Sequence, residues 1–110
     1  FYQKEGFTYS DVKTLLKPWK NITLVANGYE EYQAIVNRRF DLIHVDIIHD
    51  YAHTFDCGDW SLNHSDCVLF HDTMSFTAVM NAVSDLANKH NYEFYNYPLH
   101  NGLGILIKKA

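Results

Sequence analysis

Asp46 and Asp72 are the residues of this sequence best placed to do chemistry. Each carboxylate follows directly on an apolar run, FDLIHV and CVLFH, where a strand buried in a sheet gives an acid little structural reason to be. His49 and His71 flank the same two points. Imidazole titrates close enough to neutral pH to serve as a general base, and the loop position of His49 favours it for that role. If the two runs are neighbouring strands, Asp46 and Asp72 come close enough to share a hard cation such as Mg²⁺. The competing use of both carboxylates is to cap the helices or loops that follow. For His71, which directly precedes Asp72, it is a packed, hydrogen-bonded ring.

Other clusters carry weaker signals. Asn27-Gly28-Tyr29 follows a β-rich run and forms a third polar strand end, the kind of place where open α/β sheets bind ligands. Cys57, Cys67, His53 and His64 suggest zinc, but no spacing fixes two ligands on one element. Gly102-Leu103-Gly104 is followed by a strand-like run, whereas a phosphate loop needs a helix amino terminus, so it reads as turn geometry. Tyr92, Phe94, Tyr95 and Tyr97 read as a half-buried strand more readily than as a platform for bases.

The elements that must position these residues follow from patterning. Residues 10–17 are expected to be helical, with Ser10 as cap and Pro18 as the stop. Residues 21–26 read as a strand ended by Asn27-Gly28. A helix is expected from Tyr29 through Arg38 and Arg39, with Glu30 and Glu31 at its start to suit the helix dipole. Residues 40–46 and 67–70 read as strands covered on both faces, with a weaker helix at 51–62 that contains Gly58. The apolar stripe Phe76, Val79, Met80, Val83, Leu86 and Ala87 predicts a helix over 76–87, with Ser75 as its cap. Runs at 92–97 and 103–108, joined through Pro98 and Asn101-Gly102, predict an antiparallel hairpin.

Strands alternating with helices imply an α/β fold with a mostly parallel sheet of about five strands, flanking helices and the hairpin at its end. A chain of 110 residues suffices for one domain, 1–110, and its 47% hydrophobic content suits a folded globule. The net charge of −4 gives no field that would draw it to nucleic acid or anionic lipid. No apolar run approaches the ~20 residues a bilayer demands, and residues 1–10 are too polar for a secretory signal. A soluble, cytoplasmic protein is expected, with its two cysteines as free thiols and its two Asn-x-Ser/Thr triplets without consequence.

FDLIHVDIIHDY, followed about twenty residues later by CVLFHDT, resembles the fourth strand, its loop and the fifth strand of class I S-adenosylmethionine-dependent methyltransferases that act on small molecules. The helix at 76–87 and the closing hairpin match that family's ending too. The resemblance covers most of the chain from residue 22 onward and implies a Rossmann-like fold. By it, Asp46 and Asp72 match carboxylates that hold a divalent cation, Mg²⁺ in many members, which orients an acceptor hydroxyl and lowers its pKa. Asn27, Gly28 and Tyr29 match the turn that lies against the cofactor's adenine, and His49 matches a loop histidine, a candidate base. The implied reaction is methyl transfer, at oxygen, to a small-molecule acceptor.

The sequence departs from the pattern where Ile47 and Ile48 replace a Gly and an Asp of the loop. Thr73 stands where metal-using members carry a second acid or amide. The family's first strand, its Gly-rich turn and the acid after the second strand have no counterpart, since residues 1–21 hold only Gly6 and one short helix. The chain therefore reads as a truncated methyltransferase-like domain that alone lacks the cofactor's grip. Its exposed sheet edges are expected either to draw residues 21–26 beside the strand at 40–46 or to pair two chains as a homodimer. Two other classes compete: a non-catalytic α/β interaction module, and a metal-dependent phosphohydrolase built on the His-Asp pairs at 49–50 and 71–72.

Overall fold

A computed structural model describes residues 8–110. Gly6 and the first seven positions of the polar run at 1–10 lie outside them. In chain order the elements are α1 (Tyr9–Leu16), α2 (Tyr29–Ile35), β1 (Ile43–Val45), α3 (Tyr51–Leu62), β2 (Cys67–His71), α4 (Thr77–His90), β3 (Tyr92–Tyr97) and β4 (Leu103–Lys108). They fall into two compact units divided after Tyr32, inside α2.

In the first unit α1 opens on a reciprocal cap. The Asp11 amide donates to the Thr8 hydroxyl at 3.2 Å, and the Thr8 amide donates to the Asp11 carboxylate at 3.0 Å. Thr8 rather than Ser10 is thus the cap, because only Thr8 has an acid three residues on to return the bond. Residues 21–26 do not form the expected strand. Ile22 and Val25 remain 46% and 43% exposed, and a β-branched run without a neighbouring ladder has nothing to hold it extended. α2 stops at Ile35, short of the expected Arg39. The Arg38 guanidinium instead lies 4.5 Å over the Phe40 ring, and Arg39 donates to the Asp66 carboxylate and to the Asn63 carbonyl.

The second unit, Gln33–Ala110, is an α/β structure on a four-stranded sheet of order β1-β2-β4-β3. β1 runs parallel to β2, while β4 lies between β2 and β3 and runs antiparallel to both. The sheet is therefore mixed, with four strands among the described residues, and not a mostly parallel sheet of five. Two features account for this: residues 21–26 form no strand, and β4 lies inside the sheet, antiparallel to both of its neighbours. The expected strand at 40–46 shortens to β1, with Phe40 contributing one parallel bridge to Ser65.

α3 and α4 pack on each other and on one face of this sheet. Val68, Phe70, Val83, Leu86 and Leu106 are fully buried there. Along β2 and β4 burial alternates residue by residue, and β1 buries only Val45. One face of the sheet is covered, then, where coverage of both was expected. Gly58 is in α3 for a packing reason: a Cβ there would strike the Leu86 side chain and meet Phe70 Cε1 at 2.9 Å. Both cysteines are free thiols, and no helix of the described residues is long and apolar enough to cross a membrane.

Candidate functional site

Parallel pairing of β1 with β2 sets Val45 opposite Phe70, so the residues that follow, Asp46 and His71-Asp72, emerge side by side at one rim of the sheet. Asp46 is exposed and Asp72 is 7% exposed. Neither side chain caps a helix. Asp50 caps α3, accepting from the His53 amide at 2.7 Å, and Phe76, the residue before α4, provides no side-chain cap. Ser75, the expected cap, donates instead to Asn101 Oδ1 at 2.9 Å.

The loop between β1 and α3 carries His49 back over this rim. His49 Nε2 lies 2.6 Å from Asp72 Oδ2. The ring is held from its flat side as well, stacked on Phe76 with centroids 4.1 Å apart and planes 12° from parallel. One ligand-capable atom from each of Asp46, His49 and Asp72 falls within 4.8 Å of the others. The site is thus assembled from a strand end, a loop and a second strand end.

His71 completes the surround. Its Nδ1 approaches Asp72 Oδ2 to 2.8 Å and Asp46 Oδ1 to 3.7 Å. Nδ1 is nevertheless buried without a hydrogen-bond partner, because its N–H direction misses the oxygens. The contact is one of charge proximity more than of directed bonding. The close approach to Asp72 holds the His71 imidazole above its ordinary value, against burial, which pushes it down; the fields of Asp72 and Asp46 add to the rise. On its other side the ring makes an edge contact with His44, centroids 6.1 Å apart.

Asp72 itself has a left-handed backbone, φ 67°, which an Asp tolerates better than most residues. The turn of the β3–β4 hairpin fixes it there. The Asp72 amide donates to the Gly102 carbonyl at 3.0 Å, and the Met74 and Ser75 amides both donate to the Asn101 carbonyl. The Thr73 hydroxyl donates to Asn96 Oδ1 at 2.6 Å.

Of the residues expected from sequence, Asp46, His49, His71 and Asp72 come together. Asn27, Gly28 and Tyr29 do not end a strand: Asn27 and Gly28 precede α2, Tyr29 opens it, and the Gly28 amide donates to Glu31. Asp50 accepts from the His53 amide and lies 2.6 Å from His53 Nδ1, so its carboxylate is engaged within α3. The sequence reading missed Phe76 as the support of His49, and Gly102 as the anchor of Asp72. Phe76 was visible only as the first member of a helical apolar stripe, and Gly102 only as turn punctuation.

The implied ligands can be tried against these residues. The hollow beside Gly28, Tyr29, Glu30 and Glu31 holds about 210 Å³, below the ~300–1,000 Å³ usual for ligand sites. A larger hollow of about 430 Å³, lined by Lys13, Lys17, Trp19 and Lys20 among others, contains none of the residues singled out for chemistry. At the sheet rim the donor set is two carboxylates and one imidazole, and Mg²⁺ prefers oxygen alone. Mg²⁺ is a poor match there. No protein-family model matches the chain, and no curated protein matches it.

Proposed function

We propose that this chain carries the acceptor-activating side of a small-molecule methyltransferase, acting on a hydroxyl group. The observation that supports this reading is the convergence of Asp46, His49 and Asp72 within 4.8 Å beyond the ends of two paired parallel strands, where open α/β sheets bind their ligands. The helix α4 and the closing hairpin agree with the family's ending. His49 Nε2 lies 2.6 Å from Asp72 Oδ2, a proximity that favours a proton on Nε2 and leaves the lone pair on Nδ1. Stacking on Phe76 sets the direction of that lone pair. An acceptor hydroxyl placed against Nδ1 gives up its proton there, and the imidazolium that results is stabilised by Asp72 at 2.6 Å. Asp46, exposed beside them, is free to accept a second hydroxyl of the same molecule and orient it.

S-adenosylmethionine supplies the methyl group in this class of reaction. The residues brought together at the rim bear on the acceptor, so the reading concerns the acceptor's side. The test is transfer of labelled methyl from that cofactor to small hydroxylic compounds, by this chain together with whatever coding sequence precedes Phe1 in its gene. Transfer that falls at least ~100-fold in His49→Ala is expected. Transfer indifferent to His49 and Asp72, or none at all with no Gly-rich strand-turn-helix encoded upstream, would overturn the reading.

A further inference from the structure

Lys13, Lys17 and Lys20 stand in a different electrical setting from the rest of the molecule. Residues 8–24 carry these three lysines against a single acid, Asp11, whereas the whole chain has a net charge of −4. Asp11 is already engaged, since its carboxylate accepts from the Thr8 amide in the cap of α1. Elsewhere the cations are answered: Lys89 meets Asp59 at 2.9 Å, and Arg39 meets Asp66. Lys13, Lys17 and Lys20 form no ion pair with a described carboxylate.

All three lysines line one hollow of about 430 Å³. Lys13 and Lys17 are four residues apart, so α1 and its C-cap set them on one face. Pro18 stops the helix. In the turn that follows, the Trp19 amide donates to the Leu16 carbonyl at 3.0 Å, and Lys20 comes to the same hollow. The chain folds back far enough for the Tyr9 hydroxyl to donate to the Leu24 carbonyl at 3.4 Å, and both of these residues line the hollow too. Leu16, Ile22 and Leu24 give it apolar walls, and Trp19 lines it with 54% of its surface exposed. α1 buries no residue, so this apolar surface is not consumed by a core.

We propose that this hollow binds a small organic phosphate, a molecule in which a phosphate dianion is joined to an apolar ring. The site goes beyond the acceptor-side reading and shares no residue with it. Three ammonium groups brought to one place repel one another, and an anion with two charges relieves more of that repulsion than a carboxylate does. Lysine suits phosphate as a point charge. Phosphate alone leaves Trp19 and the aliphatic walls in water, whereas a ring attached to it covers them. The volume agrees, since it lies within the ~300–1,000 Å³ usual for ligand sites. A metal cation is repelled by the same lysines.

The experiment titrates the full chain with naphthyl phosphate, and compares inorganic phosphate and phosphatidylserine vesicles. Calorimetry should show one naphthyl phosphate per chain, bound at least ~10-fold more tightly than inorganic phosphate and progressively weakened by added salt. Lys13→Gln, Lys17→Gln and Lys20→Gln should each weaken it by ~3-fold or more, and Trp19→Ala by ~5-fold or more. Lys109→Gln, outside the hollow, should leave it unchanged. Glutamine is nearly as good a helix former as lysine, Lys20 lies outside α1, and circular dichroism of each variant guards against loss of fold. Three results would overturn the proposal: no saturable binding, affinity indifferent to all three lysines, or naphthyl phosphate bound no more tightly than phosphate. Lysine-dependent retention on the vesicles without naphthyl phosphate binding would overturn it as well, and would assign the lysines to a membrane surface. Failure here leaves labelled methyl transfer untouched as the test of the acceptor-side reading, and failure of transfer leaves this titration intact.

Discussion

The amide of Asp72 donates to the carbonyl of Gly102 at 3.0 Å, so the most buried carboxylate of the site hangs from the turn of a hairpin that contributes no functional side chain itself. Gly102 has φ 88°, and a Cβ on it would sit 2.5 Å from the Met74 amide and 2.6 Å from Thr73 Oγ1. Gly102→Ala should therefore lose ~2–4 kcal/mol in denaturant unfolding, from unfavourable φ and overpacking together. Gly28→Ala, whose nearest neighbour would be 3.7 Å away, should change stability by no more than ~1 kcal/mol. Equal effects at the two glycines would contradict this account.

Gly58→Ala sets two effects against each other. Helix propensity favours Ala by about 1 kcal/mol, but the new methyl would strike Leu86 and crowd Phe70. Overpacking at a rigid core contact costs about 1–3 kcal/mol. A net destabilisation should appear in the unfolding midpoint, and a rise in stability would show that α3 can lift from α4 cheaply.

Tyr92 is 8% exposed and its hydroxyl donates toward two carbonyls, Leu62 at 2.9 Å and Ser65 at 3.1 Å. Burial pushes the phenol above its ordinary value. Tyr92→Phe leaves both buried carbonyls without this donor and should cost about 1–3 kcal/mol. Thermal unfolding of the two proteins decides it, and no change would mean water replaces the phenol.

Asp59 links the helices α3 and α4, 2.9 Å from Lys89 Nζ and 2.7 Å from His90 Nε2. Burial raises its carboxyl, but the hydrogen bonds from Lys89 and His90 outweigh that and hold it below its ordinary value. A carboxyl depressed in the folded state adds stability above its unfolded value of 3.8, and that contribution fades as pH falls through the lower folded value. The stability gap between the natural protein and Asp59→Asn should shrink as pH falls below about 4. A gap that widens in acid would reverse the sign assigned to this pairing.

Much of the candidate site was legible in the sequence because its signal is local. Apolar runs that end in a carboxylate mark strand ends, and Asp46 and Asp72 were found that way. β3 and β4 matched their expected bounds because alternation and an Asn-Gly turn are both short-range features. Residues 21–26 misled because β-branching records a preference that only a neighbouring strand can realise. The pairing of β4 with β2 was illegible for a related reason: hairpin spacing fixes β3 against β4 but says nothing of what lies on the other side. Phe76 was hidden because a residue at the mouth of a helix can belong to the apolar stripe and support a histidine at once.

The position of β4 also governs the order in which this protein can be made. Cys67–His71 leave a ribosome long before their central partner, Leu103–Lys108, exists. Through that interval β2 has β1 as its one sheet neighbour, and the loop bearing Asp72 has no hairpin turn to hang from. The site thus acquires its shape only after the β3–β4 hairpin has formed, and a lesion in the six residues of β4 would be felt where Leu103 pairs with His71, next to Asp72.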